Sequence, residues 1–538
     1  MEVKEAEDGS TPVTEAAPVP YTTFGPQQKR LLIALLGFAT TTSPLTATIY
    51  FPLLPLLREH FHTTSQAINL TLTIYIIFQA ISPAIFGPLS DSVGRRPAYL
   101  FTLSLYMAAN LGLALNQNHY ALLLGLRAIQ SLGASAAYAI SFGVVADVCV
   151  PSERGRMLGP VSMALNLGAC IGPVVGGWVA YSSGSFEWIF WALVIVGGLL
   201  LFLVGTFLPE TARSLVGNGE KRAALPIWEW TWLRILTRLI SIASLKGSVR
   251  RTAKVGRERP ERRLDEEKTS TYPGLLPRLQ VGNPLSCVRI IFHLDTFFVL
   301  WMHGSFYTVD YSLVAAIPDI YKQIYHLDEL QIGLTYLPRG IGIIVGGYCV
   351  GKAMDFNYRA TAKKINWNIN SLSGDDLREF PIERARARGS GWLLLVSTSG
   401  LIGYGWAVHY HVHISVLLIL QFLQGFWGTC FYTFYNTLLV DVFSQSPSTA
   451  AAAASITRCA MAAAGVAVLQ PLLDAAGRGW YFTVLGLWSG SFGAVALWCI
   501  RKKGMGWRQR RLDKQHGASE VSTIVIEQDQ ARPGKQAE

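Results

Sequence analysis

Apolar residues along this chain come in long runs, without the one-sided 3.6-residue period of a helix lying on a soluble core. A bilayer-crossing helix needs ~20 mostly apolar residues. Twelve runs approach or exceed that length, at 31–57, 67–89, 98–115, 120–145, 157–181, 188–208, 290–317, 330–350, 391–408, 412–439, 450–473 and 480–500. Several are interrupted by Gly or Pro, which membrane helices tolerate when neighbours satisfy the freed backbone groups. No amphipathic shell remains to cover twelve such helices in water. The pattern therefore predicts an all-α polytopic membrane protein with 12 transmembrane helices. The acidic start MEVKEAEDGS has no apolar stretch, so the first run is expected to act as the insertion signal, with no cleavable leader before it.

Composition agrees and charge refines the picture. Charged residues make up 15% of the 538 residues, hydrophobic ones 51%, and mean hydropathy is +0.31, against about 25% charged in ordinary soluble proteins. The net charge of +11 would by itself fit nucleic acid or an anionic membrane face. Placing both termini in the cytoplasm decides between them. Of the 46 Lys and Arg, forty then fall on the cytoplasmic side, Arg58, Lys322 and Arg478 on the other, and Arg127, Arg339 and Arg458 inside the runs. That asymmetry orients a membrane protein and draws it to anionic lipid, so no nucleic-acid partner is expected. The 7 cysteines are scattered singly with no CxxC pair; they read as small packing residues, with no metal site or disulfide framework.

The chain repeats itself. Gly87-x3-Asp91-x3-Arg95 recurs 264 residues later as Gly351-x3-Asp355-x3-Arg359. Asp147 closes the fourth run and Asp441 the tenth, while Trp188-x-Phe190 opens the sixth and Trp480-x-Phe482 the twelfth. In order and at similar offsets, these pairs predict two pseudo-symmetric six-helix bundles. The expected organisation is a disordered cytoplasmic tail at 1–30, a bundle at 31–208, a central loop at 209–289, a second bundle at 290–500 with a cytoplasmic insert at 353–390, and a cytoplasmic tail at 501–538. Residues after Arg511 are expected to be unstructured. Parallel halves place a substrate site at mid-membrane between them, reached by alternating access. In the central loop, Trp228, Trp230, Trp232, Leu233, Leu236, Leu239 and Ile240 fall on one face and Arg234, Arg238 and Ser241 on another. This reads either as an interfacial helix on anionic lipid or as a linker whose tryptophans touch lipid; 257–271 is a solvated charge run.

Gly87-Pro88-Leu89-Ser90-Asp91-Ser92-Val93-Gly94-Arg95-Arg96-Pro97 resembles the loop signature of the major facilitator superfamily. Gly168-x3-Gly172-Pro173-x2-Gly176-Gly177 is similar to the antiporter signature of its twelve-span drug:proton exporters, and Arg127-x2-Gln130-x2-Gly133 to a third family motif, with Ser131 where that motif usually has Gly. The stretches 43–52 and Leu208-Pro209-Glu210-Thr211-Ala212-Arg213, with Asp441 and Arg458-Cys459, resemble the fungal quinidine-resistance and citrate-exporter branch. The resemblance runs from Leu31 to Arg501. It implies the superfamily fold, a gating role for the loop at Gly87, Asp91, Gly94, Arg95 and Arg96, proton-coupled efflux of drug-like solutes as in multidrug resistance, and a plasma-membrane location.

Physical chemistry gives these residues separate readings. Gly94 permits a tight turn, and Asp91 can pair with Arg95 or Arg96 as a switchable gate or as a plain anchor. Gly168, Gly172 and Gly176 recur every four residues and make a smooth face for close packing, as a tight, leak-proof hinge or as a static packing face; Pro173 adds a kink where the fifth span would meet the eighth or the opposite half. An arginine inside a membrane span is functional by default; Arg127, with Gln130 one turn away, reads as an anion site or as a conformational switch, unless backbone carbonyls satisfy it. Guanidinium holds its proton, so a proton carrier is needed. Asp310 in the seventh run is the candidate, with His303 seven residues earlier; a permanently charged, pore-lining Asp310 is the alternative. Arg458 is a second anion-binding candidate, and Arg339 stays unassigned. Tyr50, Tyr75, Gln79, Tyr307, Gln421, Gln424, Tyr432 and Asn436 are expected to complete an apolar cavity with few polar groups. His409, His411 and His413 could share a face for a transition metal or simply sit at the interface.

No HExxH, GxSxG or Walker sequence occurs, so neither an enzyme nor a nucleotide-driven pump is expected, and no cofactor. The favoured function is secondary export of a drug, secondary metabolite or organic acid by proton antiport, by a monomer. A proton-linked or facilitative importer or uniporter is the alternative.

Overall fold

The computed structural model describes residues 22–149, 151–218, 230–238, 290–367, 380–442 and 447–530. Among them stand twelve helices of 20 residues or more: α1 (Pro26–Thr48), α2 (Ser65–Val93), α3 (Arg95–Leu115), α4 (Tyr120–Val148), α5 (Pro151–Ser183), α6 (Glu187–Phe207), α7 (Leu294–Tyr325), α8 (Leu337–Lys364), α9 (Ser390–His409), α10 (Ile414–Val442), α11 (Pro447–Ala467) and α12 (Leu469–Gln530). A turn at Phe51–Leu53 and a short helix at Leu54–His60 prolong α1. Nine stretches among the described residues are long and apolar enough to cross a bilayer. Helices α7 and α8, of 32 and 28 residues, are outside these nine and carry Asp310 and Arg339 along their lengths; of α11, Ala453–Ala467 is a shorter apolar stretch.

Packing follows a two-fold logic. Helix α1 packs on α5 as α7 packs on α11, α2 on α4 as α8 on α10, and α3 on α6 as α9 on α12. The bundles meet through α2 against α11 and α5 against α8, pairs that the same rotation exchanges. The short helix Glu329–Leu334, ahead of α8, also packs on α5. The end of the molecule where α2 passes to α3 through Gly94, and where Arg508 and Arg511 of α12 form their ion pairs, is called the basic end below.

The boundaries differ from expectation in four places. The eighth apolar run starts in the separate helix Glu329–Leu334, and α8 runs on to Lys364. Helix α11 ends at Ala467, and the last turns of the eleventh run belong to α12, which breaks at Gly477 with φ 73°. Helix α12 then continues to Gln530, where no structure was expected after Arg511. Finally, the second copy of the glycine-aspartate-arginine repeat forms no turn: α8 passes through Gly351, Asp355 and Arg359, and the two charged residues are exposed.

The insert supplies what that second copy lacks. Phe380, Ile382, Ala385 and Ala387 are buried under the second bundle, with the Phe380 ring 4.6 Å from Tyr358 and 5.9 Å from Trp367. Glu383 of the short helix Ile382–Arg386 pairs with Arg508 of α12 at 2.7 Å, with side chains 4% and 2% exposed, and Arg508 also donates to the Phe380 carbonyl at 2.9 Å. Arg386 binds Asp441 at 3.0 Å and Arg511 binds Asp295 at 2.9 Å. Of the central-loop helix, only residues 230–238 are described. There the Trp232 ring lies against Gly205 of α6, and Arg234 and Arg238 lie over the Trp230 ring at 4.3 and 4.7 Å. Residues 1–21, Trp228, Leu239, Ile240, Ser241 and 257–271 lie outside the described residues.

A buried pair broken on one side leaves an uncompensated charge and costs about 3–5 kcal/mol, whereas apolar replacement of both partners costs far less. Arg508→Ala is therefore expected to lower the melting temperature of the purified protein markedly, and the double variant Glu383→Leu/Arg508→Leu much less. Equal losses in the two proteins would contradict a buried ion pair.

Candidate functional site

A cavity of about 420 Å³ lies between the bundles. Its first wall holds Ser43, Thr48, Gln79, Ser135, Tyr138, Phe142 and Asn166; its second holds Phe306, Tyr307, Asp310, Arg339, Tyr432, Asn436 and Arg458. All three charged lining residues among those described come from the second bundle.

Asp310 on α7 receives two hydrogen bonds from Arg339 on α8, one at 3.1 Å from Nε and a shorter one from the guanidinium end. Each neutralises the other. Arg458 on α11 has no such partner: it donates to the Tyr432 hydroxyl at 3.0 Å and to Ser455 Oγ at 3.5 Å, and it lies over the Tyr307 ring at 4.8 Å. Its Nε has no hydrogen-bond acceptor. His303 is buried with its ring 4.6 Å from that of Tyr432, and neither ring nitrogen has a partner; it stands behind the wall, apart from Asp310.

Arg127 is not on the wall. It is 0% exposed, donates to Gln130 Oε1 at 2.6 Å, and is covered by the faces of Tyr50 at 4.0 Å and Tyr75 at 4.4 Å. Gln130 passes the chain on to Asn110 at 2.6 Å, while Arg127 Nε and one terminal nitrogen have no acceptor. Among the described residues no carboxylate contacts this guanidinium; aromatic faces take that place, as cation–π contacts do where water is excluded. Of the residues expected around the cavity, Gln79, Tyr307, Tyr432 and Asn436 line it. Tyr50 and Tyr75 box Arg127 instead, and Gln421 and Gln424 bind Tyr321 and Ser397 inside the second bundle, each at 2.8 Å.

The cavity is roofed at the end away from the basic one. Phe51 lies between Tyr336, stacked at 6.1 Å, and Tyr311, edge-on at 5.8 Å, and Tyr336 donates to the Val314 carbonyl at 2.9 Å. Beyond this lid, Arg58 meets Asp319 at 3.4 Å, and Lys322 meets Glu59 at 3.1 Å and Glu329 at 3.5 Å. The Arg58–Asp319 and Lys322–Glu59 pairs join the first bundle to the second, while Lys322–Glu329 lies within the second. At the basic end the ion pairs of Arg95 with Asp91 and Asp147, Arg386 with Asp441, Arg508 with Glu383 and Arg511 with Asp295 each stay within one bundle.

The glycine face of α5 divides its work. A Cβ at Gly168 would stand 2.8 Å from Thr41 of α1, and Gly172 and Gly176 face Thr48 and Ile49 in the same way. This face therefore packs within the first bundle. The opposite bundle meets the other side of α5, where a Cβ at Gly177 would lie 3.1 Å from Gly333 Cα, and one at Gly333 would lie 2.6 Å from the Pro173 carbonyl.

At the basic end, α2 runs helically through Gly87 to Val93, so the turn is Gly94 alone, at φ 122°. Arg95 reaches Asp91 at 2.5 Å, Asp147 at 2.9 Å and Ser90 at 2.7 Å; Arg96 turns away to the Gly205 carbonyl at 3.0 Å. The Glu210 carboxylate accepts the backbone N–H groups of Arg95 (2.9 Å), Arg96 (3.1 Å), Thr211 and Ala212 (both 2.8 Å). It thus caps α3, with a negative charge at the positive end of the helix.

The model of the Major Facilitator Superfamily matches residues 36–366. This chain belongs to that superfamily. Citrate exporter 1 of Aspergillus niger is 31% identical over 502 residues, covering 91% of this chain and 89% of that protein. The MFS antiporter QDR2 of Candida albicans is 31% identical over 466 residues, covering 87% of each. The crystal structure of a D-xylose-proton symporter has the same fold, with a TM-score of 0.58 at 15% identity, over 88% of this chain and 97% of that one. As a superfamily member the chain is an integral, multi-pass membrane transporter of small solutes, and not an enzyme.

Two residues of this superfamily member escaped the sequence reading. Arg339 is the partner of Asp310, and the signal was elementary: opposite charges at bilayer depth seek one another. Glu210 caps α3 from 114 residues away, a pairing no local pattern announces. The outer histidines do not form a metal set, since no cluster of three or more ligand residues exists among those described. His413 instead accepts the Ser415 N–H at 3.3 Å, and the His409 ring packs 5.4 Å from Trp406.

Hydrogen bonds to a charged acceptor contribute roughly 1.5–3 kcal/mol, so Glu210→Ala is expected to lower stability by about that much. Gly94→Ala should do the same, because its Cβ would stand 2.6 Å from a Glu210 oxygen. Melting curves of the purified variants measure both; wild-type stability in Glu210→Ala would refute the cap.

Proposed function

We propose that this chain is a secondary active exporter that moves a small organic solute out of the cytoplasm in exchange for protons by alternating access. The observation that carries the reading is the central cavity, walled by both bundles, roofed by the Phe51 lid and cross-linked beyond it by the ion pairs of Arg58 and Lys322. With the basic end in the cytoplasm, a placement that the cation asymmetry supports, this is the inward-facing state of a monomer in the plasma membrane. The names of the two fungal relatives, an exporter and an antiporter, support the direction and the exchange.

In this reading Asp310 holds the exchanged proton, with Arg339 as its counter-ion. Arg458 and Tyr307 meet the solute. Arg127, with Gln130 and Tyr50, is the conformational switch: a cation with unsatisfied donors in a sealed box is costly in one state, and a state that supplies an acceptor is favoured in proportion. The loop at Gly87, Asp91, Gly94, Arg95 and Arg96 gates the cytoplasmic end. Gly168, Gly172, Pro173, Gly176 and Gly177 let α5 slide closely on its neighbours.

Untargeted comparison of small molecules secreted by cells with and without the protein tests the reading. At least one solute should leave only when the protein is present, and its export should stop with a protonophore. Export indifferent to the protonophore would remove proton exchange, and uptake in place of export would establish the importer. Arg127→Ala should abolish the flux at unchanged membrane abundance; full activity would remove the switch role.

A further inference from the structure

The charge arithmetic of the cavity wall specifies more than a generic solute. Among the described residues, three charged ones line it: Asp310, Arg339 and Arg458. The first two neutralise each other through two hydrogen bonds. Arg458 remains, a cation whose partners are a phenol, a serine hydroxyl and the face of a tyrosine ring. None carries negative charge. His303, the other titratable group packed against Tyr432, offers none either, since an imidazole is neutral or cationic. The wall of the second bundle therefore presents one net positive charge to the cavity. Arg127 of the first bundle lies behind Tyr50 and Tyr75, off the lining, and adds no second charge.

The facing wall is neutral and largely self-satisfied. Ser43 bonds Ser135 at 3.1 Å, and Gln79 donates to Ser43 at 3.4 Å. Below them Tyr138 and Phe142 pair their rings at 4.5 Å on the lining. Polar groups already bonded to one another ask little of a ligand, whereas two aromatic faces ask for an apolar, flat body.

From these two walls we infer that the cavity binds an amphiphilic organic monoanion, with its single carboxylate on Arg458 and Tyr432 and its apolar, preferably aromatic, body against Tyr138 and Phe142. A small polycarboxylate fits poorly, because its further carboxylates would be desolvated opposite groups that carry no charge. An organic cation would meet Arg458 with no anion to receive it. This assignment rests on the transporter reading but is read by binding alone, without any gradient.

The test uses the purified full-length protein in lipid nanodiscs and follows ligand-induced thermal stabilisation. The probes are 2-naphthoate, 2-naphthylmethylammonium, citrate and 2,6-naphthalenedicarboxylate. For the wild-type protein, 2-naphthoate should stabilise with saturation at the lowest concentration of the four. Arg458→Gln should weaken 2-naphthoate by about tenfold or more, the loss of one charged hydrogen-bonded contact. Asp310→Asn, which releases Arg339 and adds a second free cation, should shift preference towards the dicarboxylate by a similar factor. This second variant carries the test should Arg458→Gln fail to fold. Tighter binding of the ammonium probe or of citrate, undiminished 2-naphthoate binding in Arg458→Gln, or an unchanged order of affinities in Asp310→Asn would each overturn the inference. Proton-independent flux with the binding order intact would instead count against proton exchange alone.

Discussion

A charge held at bilayer depth must be neutralised, shielded or turned towards a water-filled cavity, and the interior of this chain uses each solution once. Arg339 is neutralised by Asp310. Arg127 is shielded between two tyrosine faces and an amide. Arg458 opens on the cavity with only hydroxyls and a ring beside it. Much of the architecture follows from housing these three side chains. Helices α7 and α8 hold the neutralised pair between them, Tyr50 and Tyr75 are withdrawn from the cavity to cover Arg127, and the second bundle owns every charge among the described lining residues.

Close approach is the second requirement. Helix α5 touches α1 with one face and the opposite bundle with another, and its glycines put no side chain of their own into either contact: Gly168, Gly172 and Gly176 lie against Thr41, Thr48 and Ile49 on one side, and Gly177 against Gly333 on the other. Without side chains to interlock, such surfaces can slide with little steric penalty. At the basic end the two-fold likeness of the bundles breaks down. In the first bundle Asp147 is held by Arg95 of the loop; in the second, Asp441 at the matching place is held by Arg386 of the insert, because α8 runs straight through the second copy of the loop motif.

The fold was legible because hydrocarbon demands long apolar runs and the runs were there to be read. Their order, number and two-fold grouping all survive in the structure. Helix ends were less legible: hydropathy marks where lipid ends but is silent on a helix that continues into water, as α8 and α12 do. The candidate site was legible by charge and not by neighbourhood. Arg458, Asp310 and Tyr307 could be picked out as polar groups at bilayer depth, and they do come together on one wall. That Arg127 and Tyr50 face each other and not the cavity depends on how α1, α2 and α4 are rotated. Apolar runs that are hydrophobic all round carry no information about rotation.

The distribution of contacts between the bundles also bears on how the cavity could open the other way. Because the lining charges all belong to the second bundle, rocking the first bundle away breaks no ion pair at the cavity. The contacts that must part lie at the roofed end. There Arg58–Asp319 and Lys322–Glu59 are partly exposed to water, and such pairs contribute only about 0–1 kcal/mol each. The Phe51 ring between Tyr311 and Tyr336 is fully buried, and hiding a side chain of that size is worth roughly 1.5–3 kcal/mol. The aromatic lid, more than the ion pairs beyond it, therefore sets the resistance to opening. A ligand that reaches Tyr311 from the cavity below is placed to disturb that lid directly.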